Sequence, residues 1–195
     1  MQGNRIAITG IGKTAYLRKG TQTLTHMVVE ASLKAIADAG LTPADIDGFV
    51  GNTNIPKSDD IGYLIGMKDR AFSATTDVAG GSAPAGQAVI LAQLAIEAGL
   101  ARHVLIPYGI WSNKPGGVYA FHANEPLKAA FEMPVGFFGQ PSYFASMANR
   151  YAYDYGLSEE ELASVSITYR EWAVLNPDAQ RREPKSLQEV LGASP

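Results

Sequence analysis

Between Thr21 and Ala39 the residues Leu24, Val28, Ala31, Ala35 and Ala39 recur at spacings of three and four. This is one face of a helix, closed by Gly40 at the position where a left-handed residue is favoured. Ahead of it, Arg5-Ile6-Ala7-Ile8-Thr9 predicts a buried strand ending at Gly10-Ile11-Gly12. Thr42-Pro43-Ala44-Asp45 has the pattern of a capping box with proline in the first turn, opening a short helical turn. Phe49-Val50 predicts a second brief strand, and the polar, glycine-bearing stretch from Asn52 to Asp69 predicts no element. A third strand is expected over Ala71 to Val78. Gly80-Gly81-Ser82-Ala83-Pro84-Ala85-Gly86 then turns the chain into a helix running to Glu97. That helix is apolar nearly all round (Ala88, Val89, Ile90, Leu91, Ala92, Leu94, Ala95, Ile96), the pattern of a helix buried in the middle of a domain. Gly99 ends it, and His103 to Ile106 predicts a fourth strand. The order βαβ…βαβ argues for an α/β fold with a mainly parallel sheet covered by helices.

Residues 110–140 differ. They are rich in glycine, proline and aromatics without a clear period, and predict a loop excursion; excursions of that length are uncommon unless functional. Helical periodicity returns from Pro141 to Tyr155, with Tyr143, Phe144, Met147 and Tyr151 on one side. Ser158-Glu159-Glu160-Glu161 caps a further helix in which Leu162, Val165, Tyr169 and Trp172 repeat. A short helix is expected from Ser186 to Leu191. The organisation expected is a core at 1–109, the excursion at 110–140 and helices at 141–195, without internal repeats.

The 195 residues are 46% hydrophobic and 18% charged, with a net charge of −3. That is globular composition, and it offers no electrostatic reason to expect nucleic acid or an anionic membrane as partner. Cysteine is absent, which excludes disulfides, zinc–thiolate sites and a cysteine nucleophile within this polypeptide. The N-terminus shows no signal-peptide apolar region, and the run Ala88 to Ile96 is too short to span a bilayer. A cytoplasmic location with no membrane span is the expectation.

The segment richest in chemistry is the strand–Gly80-Gly81-Ser82–helix turn. Glycines there let the backbone approach a ligand, and the helix that follows presents free N–H groups and a partial positive charge to an anion or a carbonyl oxygen. Tight packing of a buried helix explains the same glycines equally well. A G-x-S-x-G nucleophile elbow lacks its second glycine here, and Gly10-Ile11-Gly12 lacks the third glycine of a dinucleotide fingerprint. His122, in Tyr119-Ala120-Phe121-His122, suits a substrate contact or a loop histidine bonded to backbone. His26 and His103 read as surface or packing residues, and Tyr143, Phe144 and Tyr151 as core. Glu159 to Glu161 read as a solvated helix start, and Asp59-Asp60 as solvated carboxylates without the further ligands a metal needs. Lys13, Arg18 and Lys19 could meet a phosphate, or form an ordinary charged loop.

Taken together, Arg5 to Tyr16, Ala37 to Gly48, Val78-Ala-Gly-Gly-Ser-Ala-Pro-Ala-Gly86 with Leu94 to Leu105, Tyr155 to Ala163 and Asn176 to Ala179 resemble, in order, the N-terminal half of thiolase-superfamily proteins. The closest likeness is to the sterol-carrier-protein-x or lipid-transfer branch. The resemblance implies the first half of a five-layered αβαβα fold with a buried central helix, and a coenzyme A thioester as substrate with no bound cofactor or metal. It places Ser82 where thiolases keep their acyl-accepting cysteine; Gly80, Gly81, His122 and Tyr143 are the candidate substrate-binding residues. A serine without a base stays protonated near neutral pH, whereas a helix N-terminus readily generates a thiolate. The rest of the family's catalytic residues belong to a C-terminal half. Cysteine-less members of the branch resemble retro-aldolases acting on steroid side-chain acyl-CoA thioesters, which associate with a small OB-fold, zinc-ribbon partner. A homodimer or hetero-oligomer is implied.

Retro-aldol cleavage is therefore expected ahead of a Claisen-type acetyl-CoA acyltransferase. A non-catalytic thiolase-like subunit completed by a partner chain is the alternative from another class.

Overall fold

The computed structural model describes residues 6–17, 20–53, 55–77, 83–110, 122–123 and 125–193. The chain divides into two compact units: residues 1–15 with 19–111, and residues 16–18 with 112–195.

In the first unit, helix α1 (Leu24–Asp38) starts where the Thr23 hydroxyl accepts from the His26 N–H at 3.1 Å, satisfying one of the helix's orphan donors. Val28, Ser32 and Ile36, one turn apart, form its buried stripe. Its alanine face does something different. A Cβ on Gly10 would fall on the carbonyl oxygen of Ala35, and one on Gly12 on that of Ala31. The incomplete dinucleotide motif is thus a seat for the N-terminal segment on α1. The strand expected at Arg5–Thr9 is corrected here, since Ile6 to Thr9 carry no strand pairing. The glycines bring that segment against a helix, and the Ile11 N–H donates to Asp38 Oδ2 at 2.9 Å.

The 3₁₀ turn Pro43–Asp45 closes with the predicted capping box and leads into β1 (Gly48–Asn52), buried at every position. β1 pairs in parallel with β2 (Phe72–Thr76), Gly48 opposite Phe72, and with β3 (Val104–Leu105), Gly48 opposite Val104. The sheet order is β2-β1-β3. Alternation sends Phe49 into a cluster with Val28, Ile36, Ile61 and Ile65, and Val50 into one with Ala88 and Ala92. A central strand with both faces buried is what a helix-covered parallel sheet requires.

Helix α2 (Ser58–Ile65) lies in the stretch from which no element was expected. It has two turns, a glycine at 62 and a buried pair at Ile61 and Ile65, too short a repeat to show a period. Helix α3 (Ala83–Glu97) follows β2 as predicted. Ala88 and Ala92 are buried against the sheet and Ala95 is buried too, but Ile90 is 58% and Leu94 56% exposed. The expectation of a helix buried all round is met on one side only, because the described residues cover one side only.

In the second unit, the described part of the expected loop excursion contains a π-helical turn, Lys128–Glu132, running into a 3₁₀ turn, Met133–Val135, which ends at Gly136 with φ 73°. Turns this short leave no periodic signature. Helices α4 (Gln140–Tyr155), α5 (Glu159–Leu175) and α6 (Leu187–Leu191) follow. Reciprocal capping boxes, Ser158 with Glu161 and Ser186 with Glu189, open α5 and α6, and these two helices pack together. Phe144, Met147 and Tyr151 of α4 and Leu162, Val165, Tyr169 and Trp172 of α5 recur as the sequence predicts, but all are exposed. The reading of Phe144 and Tyr151 as core is corrected, since both are more than half exposed among the described residues.

Candidate functional site

A parallel sheet delivers its ligands at the carboxyl ends of its strands, where neighbouring connections diverge. In the first unit the divergence falls at β1, because the connection to β2 goes to one side and β3 lies on the other. Asn52 ends β1 with a buried side chain whose Nδ2 donates to the Pro107 carbonyl at 3.1 Å. Beside it the buried Thr76 hydroxyl, at the end of β2, donates to the Gly51 carbonyl at 3.2 Å. These bonds lace the three strand ends together. The sequence reading missed both residues; the signal available was a polar residue closing the buried run Phe49-Val50-Gly51.

A groove of about 580 Å³ reaches this end, lined by Ile36 of α1 and Ala39 just after it, Ala88 and Ala92 of α3, and by Asn52 and Thr76. That size and apolar lining suit a small organic ligand. Gly80, Gly81 and Ser82 lie outside the described residues; their described flanks are a strand ending at Thr76 and a helix starting at Ala83.

At the opposite end of the sheet, Asp47 Oδ1 accepts the backbone N–H groups of Arg102 and His103, each at 2.9 Å. Burial alone would raise the Asp47 carboxyl, but those N–H donors and the Arg102 charge outweigh it and hold the group below its ordinary value. His103 thus contributes its backbone to the start of β3 and lines the groove. His26 is exposed on α1, 3.8 Å from Glu30. Lys13 offers its carbonyl to Lys34 Nζ at 3.3 Å, while Arg18 and Lys19 lie outside the described residues. Asp59 pairs with Arg70.

The second unit brings His122 and Tyr143 together, with ring centroids 6.1 Å apart. His122 is only 1% exposed, and its Nε2 accepts the Gly139 N–H at 3.3 Å. Gly139, at φ 88°, is the residue that opens α4, so the imidazole holds the chain at a left-handed position that suits glycine. Phe138 flanks the His122 ring at 6.2 Å, and Phe137 meets Tyr143 edge-on at 5.2 Å. The Tyr143 hydroxyl donates to Glu132 Oε2. Giving that proton up would forfeit the bond and set two anions together, which pushes the phenol up to about 12. Lys128 Nζ stands 5.7 Å over the same ring, a cation–π placement. Glu132 and Lys128 were not singled out in the sequence, since nothing in an aperiodic segment says which carboxylate will meet a phenol eleven residues away.

No protein-family model matches the chain. It is 29% identical over 182 residues to a steroid side-chain-cleaving aldolase of Thermomonospora curvata, covering 89% of this chain and 46% of that protein. It is 30% identical over 208 residues to an acetyl-CoA acetyltransferase of Methanocaldococcus jannaschii, covering 97% of this chain and 49% of the relative. Among solved structures it superposes on the Ltp2-ChsH2(DUF35) aldolase with a TM-score of 0.84 at 29% identity, over 96% of this chain and 48% of that one. The chain spans about half the length of the curated relatives it matches.

Proposed function

We propose that this chain, a thiolase-superfamily protein corresponding to the N-terminal half of the lipid-transfer branch, is one half of an acyl-CoA lyase that breaks a carbon–carbon bond by retro-aldol cleavage. The observation that carries the reading is the absence of cysteine from a chain of this fold. Without a thiolate at the start of α3, an acyl-enzyme has no ready acceptor, whereas a retro-aldol needs none.

The substrate class is a 3-hydroxyacyl-CoA thioester. Its hydroxyl proton passes to a base, the O–H electron pair becomes the new C=O bond, and the Cα–Cβ bond breaks. The released pair is held as the thioester enolate until Cα is protonated. This half supplies the amino end of α3 as the dipole facing the enolate oxygen, a charge that develops only as the bond breaks. Ser82 then acts at most as a hydrogen-bond donor, with Gly80 and Gly81 allowing the thioester to approach. The acid and base come from a second thiolase-like half. The exposed apolar side of α3 supports that arrangement, since a helix without a polar face is stable in water only when covered. The solved aldolase, named as Ltp2 together with ChsH2(DUF35), supports a hetero-oligomer, and we take the partner to be a small OB-fold, zinc-ribbon protein. We place the assembly in the cytoplasm; among the described residues no helix is long and apolar enough to cross a membrane.

The relative named acetyl-CoA acetyltransferase favours a second reading, Claisen-type acyl transfer. The two separate in one assay on the assembled protein. Retro-aldol activity converts a 3-hydroxyacyl-CoA into a ketone or aldehyde and a shorter acyl-CoA, and Ser82→Ala retains kcat within about tenfold. CoA-dependent thiolysis of a 3-ketoacyl-CoA to acetyl-CoA, abolished by Ser82→Ala, would replace the aldolase reading with the transferase. Turnover of neither substrate class would leave a non-catalytic subunit.

A further inference from the structure

We propose that His122, Tyr143 and Glu132 form a polar latch that positions the helical strap of residues 125–139 for binding of the acyl-CoA substrate, acting as positioning residues and not as catalysts. The proposal rests on the acyl-CoA reading above and deepens it by naming what sets the substrate-binding conformation of this half.

The strap is built from irregular backbone. A π turn passes into a 3₁₀ turn, and glycines with positive φ stand at 136 and 139. Irregular helical turns of this kind recur at functional sites and do not hold themselves straight. Three hydrogen bonds are among the contacts that hold this strap at the start of α4. His122 Nε2 receives the Gly139 N–H, the Ser142 hydroxyl donates to the Phe138 carbonyl at 3.0 Å, and Tyr143 donates to Glu132. The His122 carbonyl in turn accepts from the Glu125 N–H at 3.1 Å, so this one residue ties down both ends of the strap. A connector needs no such arrangement. Burying an imidazole costs free energy unless its polar atoms are satisfied, and here it is almost wholly buried in a segment whose neighbours are mostly exposed. Burial also means that His122 meets a ligand only through what it positions. A run of irregular turns fixed by a polar knot, in a protein whose ligand is a large thioester, is what a substrate-ordering strap requires.

The test uses the assembled protein and three variants. In His122→Gln the side-chain carbonyl stands near Nε2 and still accepts the Gly139 N–H; His122→Leu cannot, and Tyr143→Phe keeps the ring but loses the bond to Glu132. For His122→Leu the expected result is a KM raised about tenfold with kcat within threefold. Tyr143→Phe should raise KM by a smaller factor, and His122→Gln should stay within threefold of the parent in both constants. Hydrogen exchange at amides 125–139 should lose protection in His122→Leu and Tyr143→Phe and be retained in His122→Gln. Lost protection with an unchanged KM would overturn the proposal, as would a fall in kcat alone. If the parent turns over no acyl-CoA, the acyl-CoA reading itself has failed. The latch is then judged by the Kd of a 3-hydroxyacyl-CoA, and an unchanged Kd in His122→Leu would overturn it too.

Discussion

Leu94 and Ile90 on the outer side of α3 provide the sharpest test of whether this half works alone. Fully burying such a side chain stabilises by about 1.5–3 kcal/mol. At 56% and 58% exposure roughly half of that is unrealised. Truncating either residue to alanine in the arrangement seen here should cost no more than about 1 kcal/mol, with helix propensity offsetting part of it. If a second half covers α3, the same truncation removes a buried side chain and leaves a cavity, at about 2–5 kcal/mol. The assay is urea denaturation of the assembled protein, comparing parent, Leu94→Ala and Ile90→Ala through their midpoints at constant slope. Costs of 2 kcal/mol or more for both variants are expected. Costs below about 1 kcal/mol for both would show that the outer side of α3 faces water in the working protein, and the two-half account would fall.

Two further outcomes follow from local geometry. Gly12→Ala drives a Cβ into the Ala31 carbonyl oxygen and the Ala35 nitrogen, backbone atoms of α1 that cannot turn aside; a loss of about 1–3 kcal/mol in chemical denaturation is expected. Asp47 supplies a pH signature. Its folded carboxyl lies below the ordinary value of 3.8, so its contribution is complete above that value and drains away as pH falls through the lowered one. Asp47→Asn should therefore be less stable than the parent at pH 6–7, with the gap narrowing in melts below about pH 4. A gap that stays constant down to pH 2 would show that the charge on Asp47 does not matter.

Much of the architecture is legible in the chain itself. The period of α1 and the capping signals at Thr42 and Ser158 are local, encoded within a turn or two of where they act, and they appear where the pattern puts them. The parallel sheet is legible because strands alternating with helical runs leave few other topologies. The absence of cysteine, with serine in the turn before α3, is likewise a property of sequence alone. What tertiary structure decided is which matching pattern meets a partner. Gly10 and Gly12 look like part of a nucleotide loop until α1 lies against them. Asn52 and Thr76 become a pair only when β1 and β2 end side by side. Phe144 and Tyr151 of α4 have the periodicity of a core, yet among the described residues they stay exposed. Tyr143 finds Glu132 only because irregular turns, invisible to any period, fold the strap back. Periodicity records that a face can be buried, whereas burial itself depends on residues distant in sequence, and those meet only when the chain folds.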